Sequence, residues 1–165
     1  MRPRVALVGV LLVACVAAVA VAQTTPSIQG AWRVTEVTVT GADASSNKTP
    51  QPGIYIFTKG HYSIITVNST SPRKGFSNVA TPGKLTDAEK LARYEVWNDF
   101  TANTGTYQVA GNTLTTKAVV AKNPGVMDTS QTREFKIEGS TLILIQKSPP
   151  GQPASQTTTR LTRIE

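Results

Sequence analysis

Residues 100–121 read FTANTGTYQVAGNTLTTKAVVA, and the fold class turns on how this stretch is read. Residues 104–109 form a short strand-like run. Gly111-Asn112 tolerates positive φ, and residues 113–120 return rich in β-branched side chains. Strand, Gly/Asn turn and strand together predict a β-hairpin.

Working outward, the chain repeats this device. Residues 54–58 and 61–67 make a second hairpin around Lys59-Gly60, and residues 132–137 and 140–146 a third around Glu138-Gly139. Residues 30–40 read as one long strand whose alternation slips: Trp32 and Val34 share one face, Val37 and Val39 the other. A single slip in a period of two predicts a bulge near Thr35-Glu36, where a sheet curls. Residues 157–164 are a last strand. Between these lie Pro-, Gly- and Ser-rich loops at 41–52, 68–84, 122–130 and 148–153.

One helix interrupts the strands, over residues 85–100, opened by the capping box Thr86-Asp87-Ala88-Glu89. Ala88, Leu91, Ala92 and Val96 fall on one side, with Glu95 among them and Trp97 opposite. Its place inside a run of strands predicts a lid or plug rather than a crossover. The expectation is therefore an all-β fold: an eight-stranded antiparallel up-and-down barrel with one short helix between strands 3 and 4. Closure of such a barrel removes exposed edges.

The N-terminus reads as a targeting segment. Met1-Arg2-Pro3-Arg4 is basic, residues 5–19 are apolar, and Ala20-Val21-Ala22 offers small residues before Gln23. This is the pattern of a secretory signal peptide over residues 1–22, followed by one domain over residues 23–165. The apolar run is short for a membrane span. A lipobox-like Leu12-Val13-Ala14-Cys15 is the rival, which would anchor the protein by lipid at Cys15. Removing 22 of 165 residues leaves 143, enough for one core, and takes the single cysteine away. No disulfide would then support the fold. The formal charge of +7 is spread singly apart from Arg73-Lys74, which favours solubility over nucleic-acid binding.

At the level of motifs, the chain resembles the bacterial lipocalin-like domain family of the calycin group. Gly30-Ala31-Trp32 resembles the lipocalin G-x-W. Residues 53–63, GIYIFTKGHYS, resemble the family's Gly-strand-Gly-Tyr-Ser hairpin. Residues 100–107, FTANTGTY, resemble its F-x-A-Y-x-G-x-Y segment, with Asn103 at the aromatic position. Arg133-Glu134-Phe135, then Glu138–Leu142 and Leu161-Thr162-Arg163, resemble the closing strands. The resemblance implies an eight-stranded barrel with a ligand-sized interior. It also implies that Trp32 closes one end under a late-strand arginine, Arg163 or in reserve Arg160, as a structural pair.

Catalytic chemistry finds little footing. His61 is the only histidine, directly after a hairpin turn where a solvent-facing side chain is common, although a haem-ligating role is conceivable there. No metal site, cofactor site or catalytic residue is expected. Asp87 and Glu89 are explained by the helix cap and dipole. Asn47 and Asn68 open glycosylation sequons, of consequence only in a eukaryotic secretory pathway. Tyr55, Phe57, Tyr62, Tyr107 and Phe135 are the candidate ligand-lining residues, the inward parity being open.

The expected function is a secreted or periplasmic, monomeric carrier. It holds a small apolar or amphipathic molecule in an interior of apolar side chains and a few hydroxyls, suited to an uncharged or weakly polar guest. The alternatives are an isomerase or hydrolase using the same cavity, and a structural envelope protein with a filled barrel.

Overall fold

The computed structural model describes residues 27–73, 75–76 and 84–165. The expected signal segment and lipobox lie outside these residues, as does part of the loop at 68–84.

Nine strands form one antiparallel sheet: β1 (Gly30–Gly41), β2 (Ser45–Asn47), β3 (Gly53–Phe57), β4 (His61–Val67), β5 (Phe100–Ala110), β6 (Thr113–Ala121), β7 (Ser130–Glu138), β8 (Thr141–Lys147) and β9 (Ser155–Arg163). Apart from β2 they pair in chain order, and β9 pairs back onto β1 from Trp32↔Arg163 to Gly41↔Ser155. Eight strands thus close into an up-and-down barrel. The bulge is where the slipped alternation placed it, the β1–β9 register shifting between Val34 and Glu36.

The ninth strand, β2, is an addition to the eight that close the barrel. Residues 41–52 were expected as loop alone, but Ser45–Asn47 pairs with Val37–Val39 of β1. β3 covers that edge of β1 only from Gly30 to Arg33. Beyond it the backbone groups need other partners, and a three-residue strand supplies them. The helix α1 (Asp87–Asn98) accordingly lies between the fourth and fifth strands, not the third and fourth. β5 also begins at Phe100, four residues before the expected start, because its first half pairs with β4 from Val67↔Phe100 to His61↔Thr106.

Alternation decides what faces inward. Trp32, Phe57, Tyr62, Ile64, Leu114, Leu142, Leu144 and Leu161 are buried in one cluster, while Ile54, Ile56 and Ile65 on the opposite parity are exposed. The five most completely buried large side chains are Trp32, Phe57, Leu114, Leu142 and Leu161. They pack toward the end that the lead-in Ile28 crosses. That end is packed with apolar side chains, each contributing about 1.5–3 kcal/mol by leaving water. An open cleft of about 560 Å³ lined by Ile28, Tyr107, Phe135 and Ile137 lies there too.

α1 has the expected capping box: Glu89 N–H donates to Thr86 Oγ1 at 3.3 Å, and Thr86 N–H donates to Glu89 Oε2 at 2.8 Å. None of its residues is buried, and Leu91, Tyr94 and Trp97 are exposed. The expected apolar side is therefore largely in solvent, with Ala88, Leu91 and Ala92 exposed and only Val96 half-buried. The helix is held at its C-terminus, where Lys122 Nζ donates to the carbonyls of Trp97 at 2.7 Å and Asn98 at 2.9 Å. A cation on the last carbonyls complements the helix dipole.

Candidate functional site

The apolar filling stops partway along the barrel. Beyond the bulge, Val37 continues the inward face of β1, but the facing strands offer Thr66, Gln146, Thr157 and Thr159 rather than large apolar groups. Space is left. One cavity of about 620 Å³ lies between β1, β3, β8, β9 and the β2 segment. A second of about 670 Å³ lies toward β4, β5 and the end of α1, where Tyr94 and Trp97 form part of its wall. Tyr55, Thr66, Asn68 and Arg133 line both. Each volume is in the range that holds a small organic molecule.

Arg133 sits at this junction because β7 alternates strictly: Gln131, Arg133, Phe135 and Ile137 turn inward and their neighbours outward. Its Nε donates to Gln146 Oε1 at 3.1 Å, Nη1 to Thr116 Oγ1 at 3.4 Å and Nη2 to Gln131 Oε1 at 2.8 Å. All three partners are neutral. Every ion pair among the described residues lies elsewhere: Lys90–Asp87, Lys136–Glu138, Lys147–Glu134 and Arg160–Glu36. Burial pushes the Tyr55 phenol above its ordinary range, partly offset by the nearby Arg133 charge. The Tyr62 phenol is also raised by burial, against a hydrogen bond to Thr116 and the same guanidinium. Both hydroxyls therefore stay protonated at neutral pH, and of the two only Tyr55 faces the cavities.

The five candidate aromatics are not equivalent. Tyr55 lines both cavities. Phe57 and Tyr62 are buried in the core, and Phe135 and Tyr107 pack against it. Tyr107 meets Phe57 edge-on at 5.3 Å and donates its hydroxyl to the Thr58 carbonyl at 2.6 Å. Trp32 has no exposed surface, and the Arg163 guanidinium carbon stands 4.0 Å from its ring centroid. Arg160 turns outward to Glu36. His61 is exposed at the start of β4. Asn103 lines the second cavity, so a polar side chain stands on that wall at the aromatic position of the family pattern.

The interior differs from the expected apolar lining with a few hydroxyls: Arg133, Lys122, three glutamines and several asparagines stand on the cavity walls. Arg133 was legible only as part of a closing-strand motif. Its parity with Phe135 and Ile137 was the available signal, as was that of Gln146 with Leu142 and Leu144.

The sequence profile of the lipocalin-like domain matches residues 29–164, nearly the whole described chain. The chain belongs to the lipocalin-like domain family. Among solved structures, a lipocalin-like protein from Bacteroides uniformis is similar at 18% identity and a TM-score of 0.45, covering 82% of this chain and 97% of its own. An uncharacterized protein from Bacteroides eggerthii is similar at 12% identity and a TM-score of 0.41, covering 80% of this chain and 97% of its own. No curated protein matches. The lipocalin-like barrel is in general a ligand-binding type of domain, and no helix among the described residues is long and apolar enough to cross a membrane.

Proposed function

We propose that this lipocalin-like protein is a secreted carrier that binds a small amphipathic molecule in the barrel and releases it chemically unchanged. One observation carries the reading: a closed barrel filled at one end holds two adjoining cavities of about 620 and 670 Å³ at the other. Val34, Val37 and Leu144 give the first cavity apolar walls that desolvate a guest, and the hydroxyls of Tyr55, Thr157 and Thr159 orient it. A structural protein with a filled interior would have no use for this space, which counts against that alternative.

Titration with an environment-sensitive naphthalene or fatty-acid dye is expected to give saturable binding at one site. Val37→Trp, which grows a side chain into the first cavity, is expected to weaken binding about tenfold or more, with far-UV circular dichroism checking that the variant keeps its fold. If no dye or lipid extract binds, the carrier reading fails.

Secretion rests on residues 1–22, with periplasmic or extracellular release after Ala22. Intact mass of protein recovered from a secreting host is expected to correspond to a chain beginning at Gln23. A lipid-modified species beginning at Cys15 would instead place the protein on a membrane surface.

A further inference from the structure

Arg133 is the one guanidinium that lines the cavities, and its environment is unusual in what it lacks. The chain has ten acidic residues, every one of them among the described residues, and none lines either cavity. Arg133 is half-buried, and a cation partly withdrawn from water is commonly accompanied by a carboxylate. Arg133 is held instead by two glutamine oxygens and one threonine hydroxyl. These bonds engage three of the five N–H groups of a guanidinium and leave its charge unneutralised.

Neighbouring groups point the same way. The Tyr55 hydroxyl makes no hydrogen bond among the described residues and lines the same two cavities as Arg133. The other cation on these walls, Lys122, is already committed to the carbonyls that end α1. The junction therefore presents donors and positive charge with no built-in acceptor of opposite sign. The flanking walls of Val34, Val37 and Leu144 supply a place for an apolar body.

The geometry points to Arg133 as the head-group site of the barrel: the ligand is an amphipathic anion whose oxyanion group pairs with the Arg133 guanidinium and accepts from the Tyr55 hydroxyl. This rests on the carrier reading above and narrows its ligand from any small amphipath to a negatively charged one. A planar guanidinium donates two parallel bonds to a carboxylate or phosphate, and such charge-assisted bonds are roughly twice as strong as neutral ones. The two glutamines hold the guanidinium in place across β7 and β8, as preorganisation requires.

The test is displacement of a bound dye by ligands of one chain length and different heads: dodecanoate, dodecyl phosphate, dodecanol and dodecylammonium, at neutral pH. In the wild-type protein the anions are expected to bind about tenfold or more tightly than the alcohol, and the ammonium most weakly. Dodecanoate against dodecyl phosphate then tells a carboxylate head from a phosphate. Arg133→Gln is expected to bring the anions down to the level of the alcohol measured in the same variant, and Arg133→Lys to keep part of the preference. Equal binding of anion and alcohol by the wild-type protein would overturn the head-group site and leave the carrier reading standing. Binding of none of the four, with no dye bound either, would remove both. The wild-type comparison needs no variant, so a variant that fails to fold leaves the outcome decided.

Discussion

Trp32→Ala is expected to destabilise the barrel by about 3–5 kcal/mol, the range for removing a large aromatic from a packed core. Trp32 has no exposed surface and stands between Tyr55 of β3 and Arg163 of β9 in the register of the sheet. It is therefore packed at the seam that closes the barrel. Its Nε1 donates to the Ile28 carbonyl at 2.8 Å, tying the lead-in across the filled end. The Arg163 guanidinium covers the ring and reaches on to the carbonyls of Gln29 at 2.6 Å and Ser27 at 2.7 Å. Alanine would leave a cavity and remove the face on which this guanidinium rests. Chemical denaturation followed by far-UV circular dichroism is the measurement, since fluorescence of the variant would report only the exposed Trp97. A loss below about 1 kcal/mol would mean that the filled end does not hold the barrel together. Trp32→Phe keeps an aromatic face and loses the Nε1 hydrogen bond, and is expected to cost less than the alanine variant.

The second large effect is expected at Gly105. Its φ is not of the left-handed kind that calls for glycine; the constraint is space. Gly105 is buried on β5 at the point where the β5–β6 register shifts between Thr104 and Gly105. A Cβ there would overlap the Lys117 carbonyl oxygen and come within 2.9 Å of the Ala118 Cα. Both are backbone atoms of the neighbouring strand and cannot swing aside as a side-chain tip could. Gly105→Ala is expected to cost about 1–3 kcal/mol, in the range of overpacking in a tight interior, and Gly105→Val more. The thermal melting temperature should fall accordingly, in contrast with Gly60→Ala, where a Cβ meets nothing within 4 Å. Equal melting temperatures for the alanine variants would show that β5 and β6 separate freely at the bulge.

Several features were legible from the residues because they depend on neighbours in the chain. Hairpins follow from a turn residue between β-branched runs, so β3–β4, β5–β6 and β7–β8 were readable from Gly60, Gly111 and Gly139. The capping box at Thr86 and Glu89 and the bulge near Thr35 are likewise local patterns. Sequential antiparallel strands of this number then close by edge satisfaction, without any long-range clue. The family resemblance carried by the Gly-Ala-Trp and Gly-Tyr motifs reached the same barrel.

What the chain order could not decide was which parity faces inward, and where along the barrel the filling stops. The candidate aromatics illustrate this. Tyr55 and Phe57 are two residues apart on one face of β3, yet Phe57 is buried in the core and Tyr55 stands at the edge of open space. Their difference is one of depth, set by how the strands stagger around the barrel, and periodicity carries no information about depth. Arg133 was obscured for the same reason: a lone arginine in a strand is ordinary until closure brings Thr116, Gln131 and Gln146 around it from three strands and leaves every carboxylate outside. The sequence by itself determined the hairpins, their order and the barrel they make, because turns and alternation are local. Only the tertiary structure decided that an arginine without a carboxylate beside it lines the barrel's cavities, because charge compensation is a property of neighbours in space.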